Sequence, residues 1–287
     1  MHLGSLLTAV GSYLSARSRN GRWLLRIEDL DRNRVMPGVA DQMRRSLESF
    51  GFQWDETVEF QSDRIEYYEM ALARLEAAGQ CYACRCSRSR IAALPLEPGD
   101  EPVYPGTCRD DPGAVSVPHA IRFRIGDDAA EVRFDDAIQG PMRQDCRRDA
   151  GDFVIRRRDG FFAYQLAVVA DDELQGVTEV VRGCDLLSST PRQMLLQRAL
   201  GFRTPAYAHL PLLTEADGRK LSKSGHAVAL DPGHAATLLW EALDRLRQQP
   251  PAELRRARVR EIWDWAIGNW HPQRLAGLRE LPLSGQA

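Results

Sequence analysis

The first eighty residues alternate between two kinds of hydrophobic pattern. Apolar side chains at positions 6, 7, 10, 13 and 14 recur at helical spacing, which predicts a helix over 4–18. Trp23–Ile27 is a short apolar run that predicts a strand. Two further helices are predicted, one over 38–50 and one over 63–78 with Tyr67, Met70, Leu72 and Leu75 facing inward. Such alternation of helices and strands is typical of an open α/β sheet.

The pattern changes between Cys81 and about Pro118, where Pro, Gly, Cys and Asp dominate and the periodicity vanishes. This composition predicts a small inserted module. Periodicity returns after residue 119, and Pro191 and Gly201 mark the start and end of a predicted helix over 190–200. From Lys223 onward the pattern is helical. We therefore predict an α/β domain over 1–80 and 119–205, the module over 81–118, and a helical extension over 206–287.

Composition limits the possible functions. The 287 residues are 44% hydrophobic, enough for a sizeable core, and carry a formal charge of −2. A protein that relies on non-specific attraction to phosphate is usually more basic, so any contact with nucleic acid has to be local. No apolar stretch has the length of a membrane span and no signal peptide is recognisable, so we expect a cytoplasmic protein. Two arginine runs are candidate RNA contacts, although each is equally explained as a solvated face: 156–158, and Arg255, Arg256, Arg258 and Arg260.

Cysteines are concentrated in the predicted module. Of six in the chain, Cys81, Cys84, Cys86 and Cys108 lie within one short segment. In a reducing compartment such clustering favours a metal site over disulfides, and the spacing alone proposes a zinc ion held by these four. The alternative is a set of small hydrophobic side chains with free thiols.

Two short motifs lie near the ends of the chain, His2-Leu3-Gly4-Ser5 and Lys220-Leu221-Ser222-Lys223-Ser224. A histidine at a helix start can donate to phosphate oxygens, and a lysine-rich loop can close on pyrophosphate charge. Taken singly, the motifs are explained by an ordinary terminal histidine and a solvated loop. As a pair they resemble the signature motifs of class I aminoacyl-tRNA synthetases. The resemblance implies a Rossmann-type catalytic domain with an ATP site formed by His2, Gly4, Ser5 and Lys223. It also implies that the catalytic residues are His2, Gly4, Lys220 and Lys223.

Three other residues suggest the amino acid substrate. Glu28 follows the first predicted strand, at the strand end where open α/β sheets bind ligands. Arg182 follows another apolar strand, and an arginine can hold a carboxylate with two parallel bonds. An acid cluster at a helix N-terminus and an ion pair between Arg182 and Asp185 are the respective alternatives. The surrounding segments resemble the glutamate- and glutamine-specific class I synthetases, which implies a glutamate site formed by Glu28, Tyr164 and Arg182, with Glu28 on the ammonium group.

The resemblance to one family, the glutamyl-queuosine tRNA(Asp) synthetases, runs from His2 to about Trp270. These enzymes lack the anticodon-binding domain of glutamyl-tRNA synthetases. The resemblance implies a ligase that activates glutamate with ATP and Mg²⁺ and transfers it to queuosine in the anticodon loop of tRNA(Asp). We expect a monomer. The resemblance also changes the zinc ligands to Cys84, Cys86, Tyr104 and Cys108, with Cys81 outside a structural site.

The sequence departs from that family at its start. In the family a strand and a substrate-contacting turn precede the first motif, whereas here Met1 immediately precedes His2. Residues upstream of this sequence would supply that strand, or else the chain is an inactive tRNA-binding remnant. A fragment of a full-length glutamyl-tRNA synthetase is a third possibility. A nucleotidyltransferase with similar loops is a fourth, which the set Glu28, Tyr164 and Arg182 disfavours.

Overall fold

The computed structural model describes residues 1–31, 35–93, 103–111, 118–127, 130–214 and 230–283. No helix in these ranges is both long and apolar enough to cross a bilayer. The α-helices are α1 Leu3–Arg17, α2 Val39–Ser49, α3 Ile65–Ala77, α4 Arg88–Ala92, α5 Cys146–Asp149, α6 Tyr164–Leu174, α7 Thr190–Leu200, α8 Ala235–Arg245 and α9 Val259–Gly268. The strands are β1 Arg26–Ile27, β2 Glu59–Phe60, β3 Cys81–Cys84, β4 Ala120–Phe123, β5 Glu131–Asp136, β6 Gly140–Asp145, β7 Val154–Arg156, β8 Glu179–Gly183, β9 Ala206–Leu210, β10 Leu212–Thr214 and β11 Glu280–Pro282.

The central sheet has the strand order β6-β5-β9-β8. Strands β8 and β9 are parallel, with Arg182 opposite His209, and β5 joins β9 in parallel through Asp136 and Tyr207. The carboxyl ends of β5, β8 and β9 therefore meet at one edge of the sheet. Ligands bind at this edge in open α/β folds, so the topology places these strand ends where chemistry is expected.

Smaller sheets complete the fold. Strands β1 and β2 form a parallel pair, β10 and β11 another, and β3-β4-β7 an antiparallel sheet. The predicted α/β class is confirmed. The predicted strand over 23–27 is shorter than expected, because only Arg26 and Ile27 are paired, with Glu59 and Phe60 of β2.

One hydrophobic core joins α1 to the C-terminal helices α8 and α9. Its aromatic centre is Tyr13, whose ring contacts Trp23, Phe52 and Trp263 at centroid distances of 5.2, 5.3 and 4.8 Å. Each large side chain fully buried in such a core contributes about 1.5–3 kcal/mol. The helices after residue 206 thus pack on the first helix of the chain, while the predicted domain boundaries stay predictions.

A second core lies between α3, α6 and α7. The buried face of α3 is Tyr68, Ala71, Leu72 and Leu75, spaced i, i+3, i+4 and i+7. The prediction that Tyr67 and Met70 face inward is wrong, because their side chains are 44% and 60% exposed. Tyr68 takes the buried position because its hydroxyl reaches a buried partner, Asp171 of α6, at 2.9 Å.

Candidate active site and metal centre

Arg182 is held by side chains from three other elements. Its Nη1 donates to Tyr164 Oη at 3.2 Å, at the start of α6. Its Nε donates to His209 Nε2 at 3.1 Å, on β9, and its Nη2 donates to Thr190 Oγ1 at 2.7 Å, at the start of α7. The guanidinium is therefore fixed in one orientation at the carboxyl end of β8.

The glycine after Arg182 shapes this end of β8. A Cβ at Gly183 would lie 2.6 Å from Asp185 Oδ1 and 3.1 Å from Leu212 Cδ2. With no side chain here, the backbone passes close to both and enters the 3₁₀ helix Cys184–Ser189, which leads into α7. The local sequence thereby brings Thr190 back to the arginine that precedes the turn.

Glu28 lies just after β1, among other charged groups. Arg26 Nη2 is 3.8 Å from Glu28 Oε1, and Arg26 Nη1 is 2.9 Å from Asp172 Oδ1 on α6. Although 45% of the Glu28 side chain is accessible to solvent, burial by the cleft wall raises the pKa of its carboxyl, and Asp172 adds to the rise while Arg26 opposes it. A positively charged ligand group beside Glu28 would favour the ionised carboxylate.

Asp171 fixes α6 relative to this charged cluster. Its carboxylate is fully buried and accepts hydrogen bonds from Gln61 Nε2 at 2.8 Å and from Tyr68 Oη at 2.9 Å. Arg64 Nη1 lies 3.3 Å from the same carboxylate. Buried polar groups that are bonded in this way rigidify their surroundings, so the helix that carries Tyr164 and Asp172 has a defined position.

Two cavities adjoin Glu28. A large groove, of about 700 Å³, is lined by Glu28 and Tyr164, by Cys86, Ser87 and Ile91 of the cysteine-rich segment, and by Arg157, Arg158 and Phe161. A second cavity, of about 630 Å³, lies between residues 21–28 and residues 175–181. The site is thus wide enough for a small molecule and a larger partner.

The N-terminus of α1 contains the predicted nucleotide-binding residues. His2 is the N-cap, and its Nδ1 accepts the backbone N–H of Ser5 at 3.2 Å while its Nε2 lies 2.9 Å from Ser5 Oγ. A Cβ at Gly4 would lie 3.4 Å from the His2 ring. The unpaired N–H groups of a helix N-terminus attract anions, as the first motif requires.

Lys220 and Lys223 lie outside the described residues. The described residues on either side of them approach the start of α1. A Cβ at Gly4 would be 3.9 Å from Leu213 Cβ, and the N–H of Leu230 donates to the carbonyl oxygen of Met1 at 3.1 Å. The chain therefore leaves and re-enters the described structure next to His2.

The structure brings Cys84, Cys86, Cys108 and the Tyr104 hydroxyl together. Tyr104 Oη is 3.4 Å from Cys84 Sγ and 3.8 Å from Cys86 Sγ, and Cys86 Sγ is 3.8 Å from Cys108 Sγ. A tetrahedral zinc ion with Zn–S bonds of about 2.3 Å places its sulfur ligands about 3.8 Å apart and an oxygen ligand about 3.5 Å from them. The four atoms therefore fit a zinc ion.

The electrostatics differ among the proposed ligands. Burial raises the pKa of the Cys86 thiol and of the Tyr104 hydroxyl, whereas the surroundings of Cys108 and Cys84 favour metal binding. Burial opposes ionisation of Cys108, but hydrogen bonds from the Arg85 backbone and from Tyr104 lower the pKa of its thiol to about 7. Arg122 of β4 donates from Nε to Cys84 Sγ at 3.3 Å, and its guanidinium lies 3.8 Å from the centre of the Tyr104 ring. A cation in this position stabilises thiolates, the form in which cysteine binds metals.

Cys81 lies apart from the cluster. Strand β3 alternates its side chains, so that Tyr82 and Cys84 are buried with Tyr104 and Cys108, while Cys81 packs against the second hydrophobic core. Burial raises the pKa of the Cys81 thiol to about 11. Spacing along the chain could not separate Cys81 from the others, because the period-two alternation of a strand decides which face each side chain takes.

Sequence reasoning missed several buried polar residues of the site. Asp136, His209 and Thr190 lie behind Arg182, and Arg122 lies behind the thiols. The available signals were weak: His209 interrupts an apolar strand, and Asp136 ends an alternating one. A polar residue in a buried strand needs a hydrogen-bond partner, but which residue is the partner depends on segments that are distant in sequence.

Known proteins resemble this chain over nearly its whole length. The family described as tRNA synthetases class I (E and Q), catalytic domain, matches residues 1–237. A glutamyl-Q tRNA(Asp) synthetase of Chromobacterium violaceum is 52% identical over 285 residues, which cover 99% of this chain and 94% of that protein. A glutamyl-Q tRNA(Asp) synthetase of Geobacter sulfurreducens is 51% identical over 280 residues, covering 95% and 88%.

Solved structures support the fold. A glutamate tRNA ligase of Elizabethkingia meningosepticum, in complex with its amino acid, superimposes with a TM-score of 0.77 at 23% identity, over 99% of this chain and 64% of that one. The glutamate-tRNA synthetase of Elizabethkingia anophelis gives the same TM-score and identity over 100% and 66%. This chain thus spans a little under two thirds of the length of those proteins. From the family match and the two relatives, the chain belongs to the class I tRNA synthetases of the E and Q group, in the family of the glutamyl-Q tRNA(Asp) synthetases.

Proposed function

We propose that this protein activates L-glutamate with ATP and transfers it to queuosine in the anticodon loop of tRNA(Asp). The observation that carries the proposal is the placement of opposite charges close together. Glu28 lies near Arg182, whose fixed guanidinium donates to the Tyr164 hydroxyl, and both Glu28 and Tyr164 line the large groove. An amino acid with a side-chain carboxylate presents the complementary charges. The names of the relatives supply the acceptor.

Each residue of the pocket has a role in this proposal. Glu28 binds the ammonium group, and Arg182 with Tyr164 binds a carboxylate, since an arginine whose orientation is fixed loses little freedom on binding. Arg26 and Asp172 keep the local charge balanced around Glu28. The charges of these side chains in the free protein therefore complement those of glutamate.

The ATP site is proposed at the N-terminus of α1, with His2, Gly4 and Ser5, and Lys220 and Lys223 acting from the second motif. A glutamate α-carboxylate oxygen attacks the α-phosphorus of ATP, and the bond to pyrophosphate breaks. A queuosine hydroxyl then attacks the acyl carbon, AMP leaves, and the hydroxyl proton passes to solvent. Cationic side chains and helix N–H groups stabilise the phosphate charge, which Mg²⁺ would share.

The metal site is proposed to hold one structural zinc ion through Cys84, Cys86, Tyr104 and Cys108. When bound, the ion tethers the inserted segment to β3 and thus to the wall of the large groove. Because Ser87 and Ile91 line that groove directly after the ligands, the site shapes the surface that a partner meets. The predicted module over 81–118 is the segment that this ion would order.

The tRNA is proposed to enter through the large groove. Most of the candidate arginines have acidic partners, such as Glu69 for Arg156 at 3.1 Å and Asp31 for Arg157 at 2.8 Å. Of the two candidate arginines that line the large groove, Arg157 and Arg158, the second differs because its Nη2 donates to the carbonyl oxygen of Arg85 at 2.7 Å, which does not neutralise its charge. Arg158 is therefore the best-placed phosphate contact.

All six thiols are unbridged, which suits a reducing cytoplasm. We also propose that the chain acts as a monomer.

Pyrophosphate exchange tests the first half-reaction. With ATP, Mg²⁺ and no tRNA, glutamate should support exchange of labelled pyrophosphate into ATP, whereas aspartate and glutamine should support far less. A chain that exchanges with none of them, although thermal unfolding shows it to be folded, would contradict the proposal in favour of the inactive remnant.

A further inference from the structure

Behind Arg182 runs a chain of buried hydrogen bonds that the proposed mechanism does not use. His209 Nδ1 is 2.5 Å from Asp136 Oδ2, and His209 Nε2 is 3.1 Å from both Arg182 Nε and Thr190 Oγ1. His209 and Thr190 are 0% exposed and Asp136 is 3% exposed. These groups make no contact with the grooves and face the arginine from inside the protein.

Asp136 determines the tautomer of His209. Its Oδ1 accepts the backbone N–H groups of Ile138, Gln139 and His209 at 3.0, 2.8 and 3.1 Å. Burial opposes ionisation, but these bonds and the one from the imidazole lower the pKa of the Asp136 carboxyl. A carboxylate accepts and cannot donate, so the proton of His209 lies on Nδ1.

This tautomer fixes the direction of the hydrogen bond between Arg182 and His209. With its proton on Nδ1, His209 presents a lone pair at Nε2, which accepts the Nε–H of Arg182. The Thr190 hydroxyl accepts from Arg182 Nη2 at 2.7 Å and lies 3.1 Å from the same histidine nitrogen, whose single lone pair it can share with the Arg182 Nε–H. The inner edge of the guanidinium is thus bonded to two acceptors from β9 and α7. Nη1 retains an N–H beyond the one donated to Tyr164.

We propose that Asp136, His209 and Thr190 are positioning residues that orient Arg182 towards the side-chain carboxylate of the substrate. They thereby set the preference for a dicarboxylic amino acid over its amide. The proposal rests on the role of Arg182 in the proposed function. Apolar side chains could fill this interior without needing hydrogen-bond partners. The presence of hydrogen-bonded polar side chains that lead to one arginine therefore indicates that the orientation of the arginine matters.

Replacement of Thr190 is the mildest test. Thr190→Val removes the hydroxyl but keeps the shape, whereas Thr190→Ser keeps the hydroxyl. In pyrophosphate exchange the valine variant should raise the KM for glutamate about tenfold, as the loss of a hydrogen bond to a charged group does. Its KM for ATP and the inhibition constant of glutamine should change less than twofold, and the serine variant should resemble the parent protein. Ser15→Ala is the matched control, because it removes another buried hydroxyl, bonded to Trp270.

Asp136→Asn tests the tautomer. The amide would donate to His209 Nδ1 and move the proton to Nε2, against the Arg182 Nε–H. The KM for glutamate should rise at least about tenfold. In the background of Arg182→Ala the same change should add less than twofold, because the residue acts through the arginine.

The two proposals fail in different ways. If Arg182→Ala leaves glutamate activation intact, the proposed role of the arginine is wrong. If Arg182→Ala lowers it by about 100-fold or more but Thr190→Val and Asp136→Asn do not change the KM for glutamate, only the positioning role is wrong. Equal increases in the glutamate KM, the ATP KM and the glutamine inhibition constant would also overturn it, since they indicate general damage.

Discussion

The glutamate pocket and the cysteine cluster are held together in opposite ways. Arg182 is bonded to side chains of three elements, whose residues lie up to 27 positions away from it in sequence, and its guanidinium lies over Tyr207 of a large hydrophobic core. The cysteine cluster draws its four polar atoms from residues 84–108. Among the described residues its buried core is Tyr82, Cys84, Tyr104 and Cys108, with Cys86 and Ile91 packed against it. Tertiary packing fixes the first site, and the second has little apolar area to stabilise it.

This difference indicates what each site needs. A pocket whose side chains are bonded to one another keeps its geometry without ligand, and its specificity follows from fixed orientation. A small cluster of thiols gains its stability from the metal, because binding free energy is folding free energy in such segments. The pocket should therefore respond to mutation with changed affinity, and the cluster with changed folding.

The largest effect is expected at Arg182. Arg182→Ala should lower kcat/KM for glutamate in pyrophosphate exchange by about 100-fold or more, because the ligand carboxylate loses a desolvated, fixed charge partner. The KM for ATP should stay within about twofold. Arg182→Lys keeps the charge but cannot form two parallel hydrogen bonds. Its kcat/KM for glutamate should lie between those of the parent protein and of Arg182→Ala. A parallel loss of ATP binding would show that the arginine is structural.

The cysteine cluster should respond to a change of one ligand by losing its metal. Cys84→Ser is expected to reduce bound zinc from about one ion per chain to nearly none and to expose the described segments 85–93 and 103–111 to limited proteolysis. Metal analysis by mass spectrometry measures the first effect. Cys81→Ser is the matched control, because the Cys81 side chain packs in the other core. Zinc content that falls equally in both variants would return Cys81 to the ligand set.

Tyr104 provides a finer test of the same site. Tyr104→Phe removes only the hydroxyl that lies 3.4 Å from Cys84 Sγ. Zinc affinity, measured by competition with a chromophoric chelator, should fall by at least about tenfold while the ring still packs against Arg122. Unchanged affinity would mean that three thiols and another donor hold the ion.

The smallest effect is expected at Arg158. Arg158→Ala should leave pyrophosphate exchange unchanged and raise the KM for tRNA about threefold. The KM for tRNA should also depend less steeply on salt concentration, by the amount expected for about one phosphate contact. Arg133→Ala, an exposed arginine paired with Glu131 on β5, is the control. If the two variants behave alike, the large groove is not the path of the tRNA.

Local chemistry explains which parts of the fold could be predicted. Helix α7 begins at Thr190 and ends at Leu200 as expected, because Pro191 in the first turn and a left-handed Gly201 are signals within the segment itself. The predicted inward face of α3 is confirmed at Leu72 and Leu75 and is wrong by one position at Tyr67 and Met70, where Tyr68 and Ala71 are buried instead. Apolar side chains occupy two adjacent faces of that helix, and only the contact of Tyr68 with Asp171, 103 residues away, distinguishes them.

The candidate site also has one part that local sequence predicts and one part that it does not. The residues that surround the thiols lie close together in sequence, and spacing and resemblance were enough to propose them. The bond between Asp136 and His209 joins positions 73 residues apart through the register of β5, β9 and β8. No pattern within either segment specifies that register, so the support of Arg182 could be found only in three dimensions.

Transfer of labelled glutamate to tRNA is the most direct test of the proposed function. The protein should be incubated with ATP, radioactive glutamate and tRNA(Asp) prepared either with or without queuosine. The account predicts label on the queuosine-containing tRNA(Asp), and none on the queuosine-free tRNA(Asp) or on tRNA(Glu). Label on tRNA(Glu), or equal label on both forms of tRNA(Asp), would contradict it.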